Sequence, residues 1–201
     1  KSVRIWDPLP GRELAKLDGH TDWVRSVLVL QDNARVLSGG DDNILRLWDI
    51  APASCIKIIE CRKDGSDKIF SSATNSAGTH ALSGHRAGRI RYWNIETGEC
   101  LAALKGHLND VNSVQITPDG RFAVSGSDDK TVKIWDLEAQ VCIGTLEGHQ
   151  DKVHSVAISP DGAMIASTGF TDKTVRLWDW KSGVCLQVIK QEEEYFEYFA
   201  P

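Results

Sequence analysis

The chain has 201 residues, 41% of them apolar and 25% charged, a balance that fits a globular fold and not a disordered or fibrous one. Its net charge of −5 gives no support for a phosphate-binding surface, because counterion-release binding needs clustered Lys and Arg. No apolar run approaches the roughly twenty residues that span a bilayer as a helix.

The dipeptide Trp-Asp recurs at Trp6-Asp7, Trp48-Asp49, Trp135-Asp136 and Trp178-Asp179, with a degenerate copy at Trp93-Asn94. The spacing is about 42–45 residues, so one supersecondary unit is copied several times and the chain reads as an array. Each unit holds four short apolar runs separated by turn signals, an all-β pattern. In the cleanest unit, strand a is Val111–Thr117, closed by Pro118-Asp119-Gly120. Strand b is Arg121–Gly126, turned by Asp128-Asp129-Lys130; strand c is Thr131–Asp136 and strand d Val141–Glu147.

In chain order, residues 1–18 form a partial unit with only strands c (Ser2–Asp7) and d (Glu13–Leu17). Unit 1 follows at 19–60, a degenerate unit 2 at 61–105, unit 3 at 106–147 and unit 4 at 148–190. Residues 191–201 are rich in acids and aromatics. They read either as a solvated tail or as strand a of a further unit, with Tyr195 and Tyr198 in the apolar slots. Lys1 is not an initiator methionine, and the two ends are unfinished. The expectation is therefore a segment of a larger array, with head-to-tail self-association through open sheet edges as the alternative.

Two further residue types keep step with the tryptophans. Cys55, Cys100, Cys142 and Cys185 each lie seven residues after one, and only Cys61 stands outside the pattern. Equivalent positions in successive units are held apart, so the cysteines read as small buried thiols in a reducing, cytoplasmic compartment and not as disulfides. Arg4, Arg46, Arg91, Lys133 and Arg176 each lie two residues before a tryptophan. They read as one repeated strand-c position whose alkyl stem covers apolar surface.

The combination Gly19-His20…Ser38-Gly39-Gly40-Asp41-Asp42…Trp48-Asp49 returns as Gly106-His107…Ser125-Gly126-Ser127-Asp128-Asp129…Trp135-Asp136. In this the chain resembles the WD40-repeat family up to about residue 190. The resemblance implies β-propeller blades of four antiparallel strands around a central axis: four full blades plus partial ones. Physically, a His before strand a can donate to an Asp in the b–c turn, while a strand-b hydroxyl bridges the imidazole and the strand-c indole N–H. Such a relay locks loops to strands. Counting back from each Trp gives His20/Ser38/Asp42/Trp48, His107/Ser125/Asp129/Trp135 and His149/Thr168/Asp172/Trp178. In the family such tetrads are structural. Three equivalent buried copies suit packing better than nucleophilic catalysis, and histidines in three separate blades do not converge on a zinc ion. No catalytic residue, metal or cofactor is expected. In blade 2, Ala87 replaces the Asp and Gly65 falls where the His should be, so the expectation there is a missing relay and a looser loop.

The resemblance also implies partner contacts on the top face, three and five residues after the motif histidine and just before the turn Asp. These are Trp23, Arg25 and Asp41 in blade 1, and Lys68, Phe70 and Arg86 in blade 2. Blade 3 offers Asp110, Asn112 and Asp128, and blade 4 offers Lys152, His154 and Thr171. They differ between blades while the framework does not, and they divide into an aromatic-basic half and a more acidic half. The leading expectation is a non-enzymatic scaffold or sensor that binds a protein or peptide on this face. The alternatives are the regulatory portion of a larger enzyme or signalling protein, or a small-ligand or nucleic-acid receptor using the central channel.

Overall fold

A computed structural model describes residues 1–61 and 67–190. The expected strand at 191–201 and the residue Gly65 lie outside the described residues. A two-stranded sheet, β1 (Ser2–Asp7) and β2 (Arg12–Asp18), is followed by four four-stranded antiparallel sheets. Blade 1 comprises β3 (Val24–Val29), β4 (Arg35–Gly40), β5 (Ile44–Asp49) and β6 (Ser54–Glu60). Blade 2 comprises β7 (Ile69–Thr74), β8 (His80–His85), β9 (Ile90–Asn94) and β10 (Cys100–Leu104). Blade 3 comprises β11 (Val111–Ile116), β12 (Phe122–Ser127), β13 (Val132–Asp136) and β14 (Val141–Leu146). Blade 4 comprises β15 (Val153–Ile158), β16 (Ile165–Gly169), β17 (Thr174–Asp179) and β18 (Val184–Lys190). Within each blade the strands pair in chain order, so the a–b and c–d turns lie at one end and the b–c turns at the other. The architecture is all-β, with the sheets arranged like propeller blades.

The register explains the cysteines. Trp48 pairs with Cys55, Trp93 with Cys100, Trp135 with Cys142 and Trp178 with Cys185, each beside an irregularity in the c–d ladder. Each of these four thiols donates to the carbonyl two residues on, at 3.3–3.5 Å. All five cysteines are free. They are less uniformly buried than their periodicity suggests: Cys61 is buried, whereas Cys55 and Cys100 are exposed on outer strands.

The core is divided among the junctions between sheets. Val3 and Leu17 of the two-stranded sheet pack with Val36 and Trp48 of blade 1. Three larger clusters join blades 1 and 2, 2 and 3, and 3 and 4. A glycine in strand b opens each of the last three junctions. A Cβ on Gly39 would meet Ile69 at 2.8 Å, one on Gly84 would meet Val111 at 2.9 Å, and one on Gly126 would meet Val153 at 2.6 Å. A strand-a hydroxyl then fastens the next blade, Ser26 accepting from the Ser72 N–H, Ser71 from Val114 and Ser113 from Val156, at 2.9–3.2 Å. Each aliphatic side chain seated this way contributes about 1.5–3 kcal/mol of burial, and the polar clasp fixes the stagger between sheets. In blade 4 the glycine position is taken by Thr168.

Candidate partner-binding face

Three relays have the same geometry. His20 Nδ1 lies 2.8 Å from Asp42 Oδ2, its Nε2 lies 2.7 Å from Ser38 Oγ, and the Trp48 indole N–H donates to the same hydroxyl at 2.8 Å. His107, Asp129, Ser125 and Trp135 repeat this at 2.7, 2.7 and 2.8 Å. In blade 4 the hydroxyl is Ser167 and not Thr168: it lies 2.8 Å from His149 Nε2 and accepts from Trp178 Nε1 at 2.8 Å. The b–c turn of blade 4 holds one extra residue, so a fixed count of ten back from Trp178 falls one position short. Asp172 completes that relay 2.8 Å from His149 Nδ1. Burial lowers the His20 pKa against the pull of Asp42, which keeps the imidazole neutral. Burial opposes ionisation of Asp172, yet hydrogen bonds from His149 and from the Thr174 N–H and hydroxyl hold its carboxyl down at about 2. Asp129 is likewise lowered, by His107, Thr131 and the Leu108 N–H, against the effect of burial.

The expectation for blade 2 is overturned: a relay is present, with its acid and base exchanged. Trp93 Nε1 donates to Ser83 Oγ at 2.7 Å, and Ser83 Oγ lies 2.6 Å from Nε2 of His85. The imidazole therefore comes from the end of strand b and not from the segment before strand a. Asp67, just before strand a, supplies both the backbone carbonyl 3.0 Å from His85 Nδ1 and the carboxylate. That carboxylate is fully buried and takes Arg91 Nη2 at 2.9 Å and Arg89 Nη1 at 3.3 Å. Ala87 sits at φ 57° in a short 3-10 turn, and its N–H donates to Asp110. The described part of this blade is tied down, not loosened.

The relay hydroxyls Ser38, Ser83, Ser125 and Ser167 are buried and saturated. His20, His107 and His149 each use both ring nitrogens inside their own blade. Among the described residues no cluster of three or more His, Cys, Asp or Glu could hold a metal ion. The basic residues before the tryptophans also have local roles. Arg4 pairs with Glu13, Lys133 donates to Thr145, and Arg46 and Arg176 lie 5.9 Å from the rings of Trp48 and Trp178.

On the face carrying the b–c turns, the charged positions neutralise one another. Arg25 forks onto Asp41 with two bonds of 2.9 Å, and Lys68 reaches the same carboxylate at 2.9 Å. The Arg25 bond is the main reason the Asp41 carboxyl is held below its ordinary range. Trp23 is 63% exposed and stacks under the Arg25 guanidinium at 5.0 Å. Asn112 donates to Asp128 at 2.7 Å and to the Val153 carbonyl at 3.0 Å, and Lys152 also donates to Asp128. Thr171 is held by Asp151, and Arg86 is exposed, its N–H bonded to the Lys68 carbonyl. A cavity of about 620 Å³ gathers Arg25, Phe70, Asp110, Asn112, Asp128, Lys152 and His154 from all four blades. Trp23, Asp41, Lys68, Arg86 and Thr171 lie outside its lining.

The family described as WD domain, G-beta repeat matches residues 11–49, 98–136 and 140–179, together more than half of the chain. The chain belongs to the WD40-repeat family. Similar curated proteins include autophagy-related protein 16 of Arabidopsis thaliana, 33% identical over 122 residues, covering 58% of this chain and 22% of that protein. Nuclear distribution protein PAC1 of Arthroderma benhamiae is 32% identical over 142 residues, covering 61% of this chain and 31% of that protein. The DENN domain and WD repeat-containing protein SCD1 of Arabidopsis thaliana is 28% identical over 114 residues, covering 56% of this chain and 9% of that protein. The matched region thus spans under a third of each of these relatives.

The WD40 family match skips residues 50–97, which hold most of blade 2 with its exchanged relay. Sequence reasoning missed Phe170, which lines the cavity with its ring 5.8 Å from His154. It belongs to the enlarged b–c turn of blade 4, and the longer interval from His149 to Trp178 is the signal that could have found it.

Proposed function

We propose that this WD40 chain is a non-catalytic interaction module that binds a protein or peptide segment across the face bearing the b–c turns, over the cavity of about 620 Å³. One observation carries the reading. The cavity walls are aromatic and charged side chains drawn from four blades and differ from blade to blade, whereas the relays of blades 1, 3 and 4 repeat one His–Ser geometry. Rigid sheets that present variable loop positions suit recognition. Exposed Trp23 beneath Arg25 is the kind of aromatic–guanidinium pair enriched in binding hot spots. Because Asp41 and Asp128 already hold Arg25, Lys68 and Lys152, the face suits a partner that is neutral or of mixed charge. The free thiols fit a reducing, cytoplasmic setting. Quantitative affinity capture with the wild-type chain and with a Trp23→Ala/His154→Ala variant tests the reading. A defined set of proteins is lost from the variant while its melting temperature is unchanged; retention of the whole set contradicts it.

A further inference from the structure

We propose that a second cavity, between blades 2 and 3, is a docking site for a phosphorylated side chain of a partner peptide, sharing no lining residue with the cavity described above. The cavity holds about 410 Å³ and is lined by Arg89, Arg91 and Lys105, with Gly88 and the Gly106-His107 segment closing it. Lys105 is exposed and has no acceptor among the described residues. The buried Asp67 carboxylate holds Arg91 by Nε and Nη2 and Arg89 by Nη1, so both guanidiniums are fixed before any ligand arrives. His107 has no polar atom to spare, since Asp129 and Ser125 occupy both ring nitrogens. Three cations set against one carboxylate leave a surplus of two positive charges, which matches a phosphate monoester carrying about −1.5 to −2. Planar guanidinium forks suit phosphate oxygens, and the ammonium adds a point charge.

The other blades do not carry this set. The positions equivalent to Arg89, Arg91 and Lys105 are Ile44, Arg46 and Glu60 in blade 1, Thr131, Lys133 and Glu147 in blade 3, and Thr174, Arg176 and Lys190 in blade 4. The middle cation is therefore framework, whereas the flanking pair is peculiar to blade 2. Its relay is also the exchanged one, which is what places Asp67 between the two arginines. The shape depends on Gly88, at φ +75°: a Cβ there would meet the His107 carbonyl at 2.2 Å.

The probes are a phosphoserine peptide pool degenerate at the flanking positions, the same pool with serine, the same pool with glutamate, and inorganic phosphate. Binding to the 201-residue chain is followed by the arginine Nε–H resonances and by fluorescence polarisation. The phosphoserine pool is expected to bind in preference to the other two pools and to shift Arg89 and Arg91. Lys105→Glu should weaken it by about tenfold or more, since an attractive charge becomes a repulsive one. That variant should melt with the wild type, and Trp23→Ala should bind the pool normally, which separates this site from the partner-binding face. No preference for phosphoserine, undiminished binding by Lys105→Glu, or a response to inorganic phosphate alone would overturn the proposal.

Discussion

Ser38, Ser125 and Ser167 each serve one imidazole and one indole at once, with every distance between 2.7 and 2.8 Å. An unpaired buried polar group costs about 1–3 kcal/mol, so this saturation explains why the tetrad survives as a unit. Blade 2 reaches the same saturation with its acid and base exchanged, and Asp67→Ala separates the two views of that blade. If Asp67 is a structural acid, its loss strands Arg91 and the His85 environment, and chemical denaturation shows a drop of about 2–4 kcal/mol. If blade 2 lacks a relay, the substitution is silent. The relays also set the acid response. Burial lowers the His20 and His85 pKa values, so the unfolded chain binds more protons than the folded one once pH falls below the free-imidazole value of about 6.5. Asp172, held at about 2, adds stability above the free-carboxyl value of about 3.9 and loses it as pH falls from there toward 2. Thermal melts are expected to be level above about pH 7, to decline below about pH 6.5 and to decline further below about pH 4; a melting temperature that rises on acidification contradicts this.

At the scale of strands, each junction between full blades depends on a glycine that admits an aliphatic side chain from the next blade. Gly126→Val puts a branched side chain where even a Cβ meets Val153 at 2.6 Å and Val156 at 3.0 Å. The expected loss is at least the roughly 1–3 kcal/mol of overpacking. Thr168→Val occupies the equivalent position of blade 4, which already carries a branched side chain, and should change stability by less than about 0.5 kcal/mol. Equal effects in a denaturation series would contradict the packing account.

The strands themselves were legible in the chain, because the tryptophan period runs through every blade and Pro-Asp-Gly turns in blades 3 and 4 and Asp-Asp turns in blades 1 and 3 separate the strands by local chemistry. Two features were not legible, for a common reason. Counting from a tryptophan presumes a constant loop, and the extra residue before Asp172 moved the hydroxyl from Thr168 to Ser167 and hid Phe170. In blade 2, Ala87 and Gly65 suggested loss, whereas His85 and Asp67 restored the pairing from the opposite strand ends. Reading positions singly cannot reveal a compensated exchange; asking which buried donor would lack a partner can.

At the scale of the whole molecule, saturated relays and glycine-seated junctions form a scaffold, and the side chains that vary are gathered where the b–c turns meet the cavity. Trp23 stands on this face, while Leu9, 95% exposed in the turn between β1 and β2, stands at the opposite end of the sheets. Both are accessible, so they differ in position and not in reach. The most direct measurement places a photo-crosslinking amino acid at position 23 or at position 9 and irradiates the chain with the proteins captured by the wild type. Covalent adducts are expected from position 23 and not from position 9; adducts from position 9 with none from position 23 would contradict the assignment of the binding face.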